Sequence, residues 1–255
     1  MSIDVTIDSR VATLCVNRPD VRNALDTVTV QEMTSALSSL IVNDEVGAII
    51  VTGGGDKVFV SGADINAIRS RGRDEGLAAI NQSLFALLDR CPKITIAAVN
   101  GLAFGGGCEL AIACDLRVAA DHATFAQPEV ALGIIPGAGA TQRLPRLIGL
   151  GRAKHMILTG DPIDAQTALA WGLISSVVPG PDLASAARAL ADRILSRGPL
   201  AVRLAKAAIN ASARVDLESG LLIETLAQSI CFQSEDKQEG TTAFLEKRPA
   251  KFTGR

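Results

Sequence analysis

Ile94-Thr95-Ile96-Ala97-Ala98-Val99, then Asn100-Gly101-Leu102-Ala103-Phe104-Gly105-Gly106-Gly107-Cys108-Glu109, then Leu110-Ala111-Ile112-Ala113-Cys114: this stretch decides the fold class. Six apolar or β-branched residues bounded by turn residues form a buried strand. The glycines that follow turn the chain, and the apolar run after Glu109 continues as a helix. Backbone N–H groups at the start of that helix have no partner of their own and sit at the positive end of its dipole. Such a turn can donate hydrogen bonds to a phosphate or to an oxyanion. Alternatively, its glycines only permit a tight turn and close packing. The stretch lacks the Lys-Ser/Thr pair of a P-loop, and no G-x-G-x-x-G occurs in the chain, which speaks against nucleotide phosphates.

The same alternation recurs on either side. Ile3, Val5 and Ile7 alternate, residues 11–16 are apolar and β-branched, and 48–52 and 116–119 are further apolar strands. Asp26 is placed to cap a helix over 27–40, in which Val30, Met33, Leu37 and Leu40 fall at helical spacing, and 76–88 reads as a second amphipathic helix. Strands alternating with helices predict an α/β fold with a largely parallel sheet. From Asp182 the strand signal stops, and 183–195, 199–213, 217–231 and 235–246 all read as helices, with Pro199 suited to a first turn. The expected division is a core over 1–181 and a helical region over 182–255. The apolar stripes of that region suit packing between subunits. No sequence repeat is evident.

Composition excludes several function classes. Of 255 residues 48% are hydrophobic and 20% charged, the profile of a folded globular protein. A net charge of -2 with no tyrosine and one tryptophan offers neither a basic footprint nor a stacking surface for nucleic acid. Five cysteines without a C-x-x-C pair fit reduced thiols, hence a cytoplasmic protein. No leader pattern is seen at the N-terminus, and the most apolar region, 94–120, is interrupted by Asn100, the glycines, Glu109 and Asp115, so no membrane span is expected. The two histidines, His122 and His155, have no neighbouring ligand set, so no metal is expected. A G-x-S-x-G nucleophile elbow is absent.

Glu109 and Glu129, the latter in Gln127-Pro128-Glu129, are the candidate catalytic groups. Each interrupts a mostly apolar stretch at a turn, where burial raises a carboxyl pKa toward neutrality and suits it to proton transfer. Alone, Glu109 is equally a first-turn glutamate favoured by the helix dipole, and Glu129 a loop carboxylate. Together, with the turn Pro136-Gly137-Ala138-Gly139 following, they can share one water. In Phe59-Val60-Ser61-Gly62-Ala63-Asp64-Ile65, Gly62 marks a turn and Asp64 is a helix cap. There the N–H of Ala63 is a second candidate donor beside that of Gly106.

These segments closely resemble the crotonase (enoyl-CoA hydratase/isomerase) superfamily. The motifs are Phe59 to Ile65, Asn100 to Glu109, and Phe125-Ala126-Gln127-Pro128-Glu129-Val130-Ala131-Leu132-Gly133-Ile134-Ile135-Pro136-Gly137; the entry segment Asn17 to Leu25 and the tail Glu239 to Arg248 are similar too. The resemblance covers nearly the whole chain. It implies a spiral of ββα units, a C-terminal helical trimerisation region, and a homotrimer or a dimer of trimers. It further implies an oxyanion hole from Ala63 and Gly106 for a thioester carbonyl. CoA contacts are implied at Arg22, Ala24, Ala63, Asp64, Ile65, Asn66 and Gly106, with Gly137 near the acyl end. Possession of both Glu109 and Glu129 implies the hydratase branch, adding water to trans-2-enoyl-CoA in acyl-CoA catabolism, with no cofactor beyond the acyl-CoA substrate. A double-bond isomerase, a branched-chain acyl-CoA hydratase, and a non-catalytic acyl-CoA- or RNA-binding relative are the alternatives. Asn66 departs from the family's common lysine, leaving phosphate contact to Lys57, Arg22 or Lys247.

Overall fold

The computed structural model describes residues 2–255, in two compact units, one up to residue 189 and one over 190–255. In chain order the first unit contains β1 (Ile3–Asp8), β2 (Val11–Val16), α1 (Thr27–Val42), β3 (Ala48–Gly53), β4 (Val58–Val60), α2 (Ile65–Ser70), α3 (Arg73–Ala78), α4 (Ile80–Asp89), β5 (Ile94–Val99), β6 (Leu102–Phe104), α5 (Gly106–Ala113), β7 (Leu116–Ala120) and β8 (Thr124–Ala126). It continues through α6 (Ala140–Ile148), α7 (Leu150–Thr159), β9 (Ile163–Asp164), α8 (Ala165–Trp171) and β10 (Ser176–Val178) into α9 (Leu183–Leu195). The boundary between the units falls inside α9.

Two sheets organise this unit. One has the order β1-β2-β3-β5-β7-β10 and is parallel except for the antiparallel edge pair β1–β2. The other has the order β4-β6-β8-β9, with only β8–β9 antiparallel. Each successive strand pair, β3/β4, β5/β6 and β7/β8, places its first strand in one sheet and its second in the other, beside the equivalent strands of the preceding pair. Helical segments follow each pair, so the chain winds as a spiral of ββα units. Central strands such as β3 are buried on both faces, as parallel strands covered on both sides require.

Asp26 caps α1 by accepting from Thr29 N–H at 2.8 Å, and the helix buries Val30, Met33, Leu37 and Leu40. The single helix expected over 76–88 is two. Glu75 caps the backbone N–H of Gly72 at 2.9 Å, starting α3 early, and Ala79 adopts φ 47°, ψ 42°, breaking the run before α4. The break lets α4 turn Leu84, Phe85 and Leu88 into the core, packing that outweighs the local cost of a left-handed alanine. The glycine-rich stretch expected to be only a turn contains β6. Strands of two or three residues carry no readable periodicity, so the whole second sheet was invisible to it.

The second unit carries α10 (Pro199–Ala211), α11 (Leu217–Phe232) and α12 (Glu235–Leu245). Asp236 is buried and accepts from the N–H groups of Thr253 at 2.6 Å and Gly254 at 2.9 Å, tying the tail to α12. Leu217, Leu221, Leu222, Leu226, Ile230 and Phe232 of α11 are exposed, as are Phe244 and Leu245 of α12. Among the described residues no helix is long and apolar enough to cross a membrane.

Candidate active site

Every residue of α5 is buried, and β4 and β8 of the second sheet and the turn before α6 meet at its N-terminus. Gly105 precedes it at φ +51°, and a Cβ there would lie 2.9 Å from Glu129 Oε1. Gly107 allows the helix to press against the Val60 carbonyl, which any side chain would strike. The glycines thus serve close packing as well as the free N–H groups.

Glu109, in the first turn of α5, is 3% exposed. Its Oε1 accepts from the N–H groups of Ala138 at 2.8 Å and Ala140 at 3.0 Å, so this buried carboxyl has partners. Burial pushes its pKa above the usual carboxylate range, opposed by these N–H groups and by the Arg143 guanidinium. Glu129 lies in a 3-10 turn, Pro128–Leu132, opened by a proline at its first position. Burial, with the charge of Glu109 adding to it, pushes the Glu129 pKa up to about 7. Gln127 is fully buried, and its carboxamide, turned to satisfy its neighbours, donates to both Glu129 oxygens at 3.1 Å.

Ala63 is positioned from the other side. Leu25 and Ala63 form a parallel bridge in which Leu25 N–H donates to Gly62 O at 2.8 Å and Asp64 N–H to Leu25 O at 3.2 Å. The pairing uses the groups flanking Ala63, so its own N–H points away from Leu25. A methyl on Gly106 would lie 3.7 Å from Ala63 N and 3.6 Å from Gly62 Cα, which brings the two amides to one place. The backbone around Arg22 and Asn23, both at φ 55°, is held by the buried Asn23 side chain, which donates to Gly54 O at 3.0 Å and Val58 O at 2.8 Å.

Of the other expected contacts, Ala24 is buried, and its carbonyl accepts from Arg18 at 2.8 Å. Asp64 uses its carboxylate to cap α2 through Ala67 N–H at 2.9 Å. Ile65, Asn66, Arg22 and Gly137 are exposed, the last directly before Ala138. Lys57 lines a different cavity, of about 880 Å³, with Thr13, Thr52, Asp121 and Arg188, which neither glutamate lines. Lys247 lies in the second unit, after α12. His122 is satisfied, its Nε2 2.9 Å from Asp56 O, and His155 packs edge-on to Trp171. Among the described residues no group of three or more potential side-chain ligands could hold a metal. Sequence reasoning missed Gln127, Arg143 and the Ala138 and Ala140 amides. Only the adjacency of Gln127 to Glu129 and the glycine turn at 137–139 signalled them.

A spiral of ββα units with one buried and one half-buried carboxyl beside two neighbouring backbone amides defines a distinctive class of enzyme. The family model for enoyl-CoA hydratase/isomerase matches residues 6–255. The chain is 47% identical to a crotonyl-CoA hydratase of Syntrophomonas wolfei, covering 96% of this chain and 95% of that one. It is 44% identical to a short-chain-enoyl-CoA hydratase of Clostridium acetobutylicum, over 94% and 93%. The crystal structure of an enoyl-CoA hydratase from Bacillus anthracis superposes with a TM-score of 0.96 at 39% identity over all of both chains. The chain therefore belongs to the enoyl-CoA hydratase/isomerase family, in the hydratase branch of the crotonase superfamily.

Proposed function

We propose that this enzyme adds water across the double bond of trans-2-enoyl-CoA to give 3-hydroxyacyl-CoA, with the amides of Ala63 and Gly106 holding the thioester oxygen. As charge develops there in an enolate-like transition state, two preplaced N–H donors stabilise it. The observation that supports the division of labour is the inequality of the carboxyls. Both carboxyls are raised by burial, but Glu109 is opposed by two N–H donors and the Arg143 guanidinium, whereas Glu129 sits at a pKa of about 7. The N–H donors favour the charged form at Glu109, fitting it to activate the water, and the more strongly raised Glu129 is fitted to deliver a proton to Cα.

The CoA moiety runs along Ala63, Asp64, Ile65 and Asn66 with Arg22 and Ala24 beside it, and Gly137 lies near the acyl end. The reaction calls on no metal or redox cofactor. Relatives named for crotonyl-CoA and short-chain enoyl-CoA support a short acyl group and a place in fatty-acid β-oxidation or related acyl-CoA catabolism. The division into a catalytic core and a C-terminal oligomerisation region, a homotrimer or dimer of trimers, and a cytoplasmic location complete the proposal. The exposed apolar residues of α11 and α12 support the oligomer. Hydration is assayed by loss of the conjugated enoyl-thioester absorbance across acyl chain lengths, with product analysis on crotonyl-CoA. Formation of 3-hydroxybutyryl-CoA is expected. Double-bond migration in a longer enoyl-CoA without hydration of crotonyl-CoA would overturn it in favour of an isomerase.

A further inference from the structure

Arg143 lies one helical turn into α6, its own N–H donating to Gly139 O at 2.8 Å. Its side chain doubles back on the turn that enters the helix. Nη1 donates to Ala138 O at 3.0 Å, and the guanidinium lies over the Cα of Gly139, where any side chain would strike it. Gly139 is at φ +120°, a conformation L residues rarely adopt, so the turn depends on glycine twice over. On its far side Arg143 Nη2 stands 3.9 Å from Asp89 Oδ2, at the end of α4.

The Ala138 carbonyl belongs to the Ala138–Gly139 peptide. The peptide before it carries the Ala138 N–H and the peptide after it carries the Ala140 N–H, the two donors to Glu109 Oε1. Arg143 therefore grips the carbonyl of the middle one of three consecutive peptide planes; the outer two donate to Glu109 Oε1, and the Gly139 N–H of the middle one also favours the Glu109 carboxylate. Because each plane is rigid, fixing the middle one restricts both donors.

We propose that Arg143 is a positioning residue for Glu109, holding the Ala138–Gly139 peptide so that the two flanking amides stay aimed at the carboxylate. This rests on the acid–base roles assigned above. The charged and titratable groups around Glu109 are Arg143 from α6, Asp89 from α4 behind it, Glu129 from the 3-10 turn and Cys108 beside it on α5, with Arg117 on β7 acting on Cys108. Burial pushes the Cys108 thiol up to about 12, so it stays neutral near pH 7, and Asp89 faces Arg143. Arg143 is thus the cation that offsets the burial of Glu109.

The test compares wild type, Arg143→Gln, Arg143→Lys and Glu109→Gln in crotonyl-CoA hydration from pH 5 to 9. Arg143→Gln is expected to lower kcat about 10- to 100-fold, the scale on which loosening the support of a catalytic group acts, with KM changing far less. The acid limb of kcat/KM is also expected to move up by about one pH unit, because Glu109 loses its neighbouring cation. Arg143→Lys keeps the charge without the directed fork, so its kcat falls while its acid limb stays near wild type. A loss of packing alone would lower kcat in both variants and leave both acid limbs in place, which overturns the proposal, as would wild-type kcat in Arg143→Gln. If Arg143→Gln does not fold, Arg143→Met takes its place and is read by the same two criteria, and wild-type kcat in a folded Arg143→Lys overturns the proposal as well. Glu109→Gln separates the two levels. Near-normal turnover there overturns the acid–base assignment itself, whereas an inactive Glu109→Gln beside an unaffected Arg143→Gln removes only the role of Arg143.

Discussion

Replacing Glu129 by glutamine isolates what burial does to one carboxyl, and its effects on activity and stability have opposite signs. Burial with the Glu109 charge raises the Glu129 pKa from 4.5 to about 7. At 1.36 kcal/mol per unit, that difference corresponds to an upper bound of about 3 kcal/mol. Partial exposure and the Gln127 donation discount it, to roughly 1–2 kcal/mol. The sign follows from the raised folded-state pKa. Wild type keeps the stability from this carboxyl below about 4.5, loses it as pH rises to about 7, and above that carries a half-buried charge. Glutamine does not titrate, so Glu129→Gln should match wild type near pH 4.5 and become more stable through neutrality. For a chain of this size the advantage at pH 8 is roughly 3–6 °C in Tm. Hydration should meanwhile fall by about 100-fold or more, because the Cα proton donor is gone. Thermal melts at fixed protein concentration from pH 4.5 to 8.5, beside the absorbance assay, measure both. A stability difference that does not change with pH would refute the burial argument, and near-normal turnover would refute the proton-donor role.

Glu109→Gln should also cost about 100-fold or more in hydration while acyl-CoA binding changes far less, checked by turnover against calorimetric binding. Gly106→Val should lower turnover by about 100- to 1000-fold, the cost of one lost oxyanion donor, with a modest change in Tm. A Cβ on Gly106 meets only ordinary contacts at 3.6–3.8 Å within the protein, which keeps the change in Tm modest, and the bound thioester carbonyl provides the conflict. Gly107→Ala should do the reverse, lowering Tm by several degrees through its clash with Val60 O, and a melt unchanged from wild type would contradict the packing described. Light scattering should show a trimer-based mass at micromolar concentration, with the exposed leucines of α11 covered; a stable monomer would contradict it.

The long elements were legible because their signal is local. The apolar runs over 94–99 and 48–52, the Asp26 cap and the spacing of Val30, Met33, Leu37 and Leu40 each follow from which residues are neighbours along the chain. Both glutamates were legible for the same reason: a carboxyl in an apolar stretch needs an account of its own. The repeat of ββα units was not. Its second strands, such as Leu102–Phe104, are too short to show alternation, and the repetition is one of strand placement rather than of residues.

What the sequence by itself determined is the α/β alternation, the caps, the two carboxyls and the glycine positions where the backbone can turn. Tertiary structure alone decided that Glu109 accepts from the amides of Ala138 and Ala140, that Arg143 donates to the carbonyl between them, and that the Ala63 and Gly106 backbones lie close together. Apart from the Arg143 contact, five positions back, these join residues about 30 to 45 positions apart, and all of them involve backbone groups that nearly every residue possesses. Identity says nothing about where such a group points. Only the folding of the two sheets and the turn before α6 around the start of α5 gives each N–H its direction, and with it the unequal environments of the two glutamates.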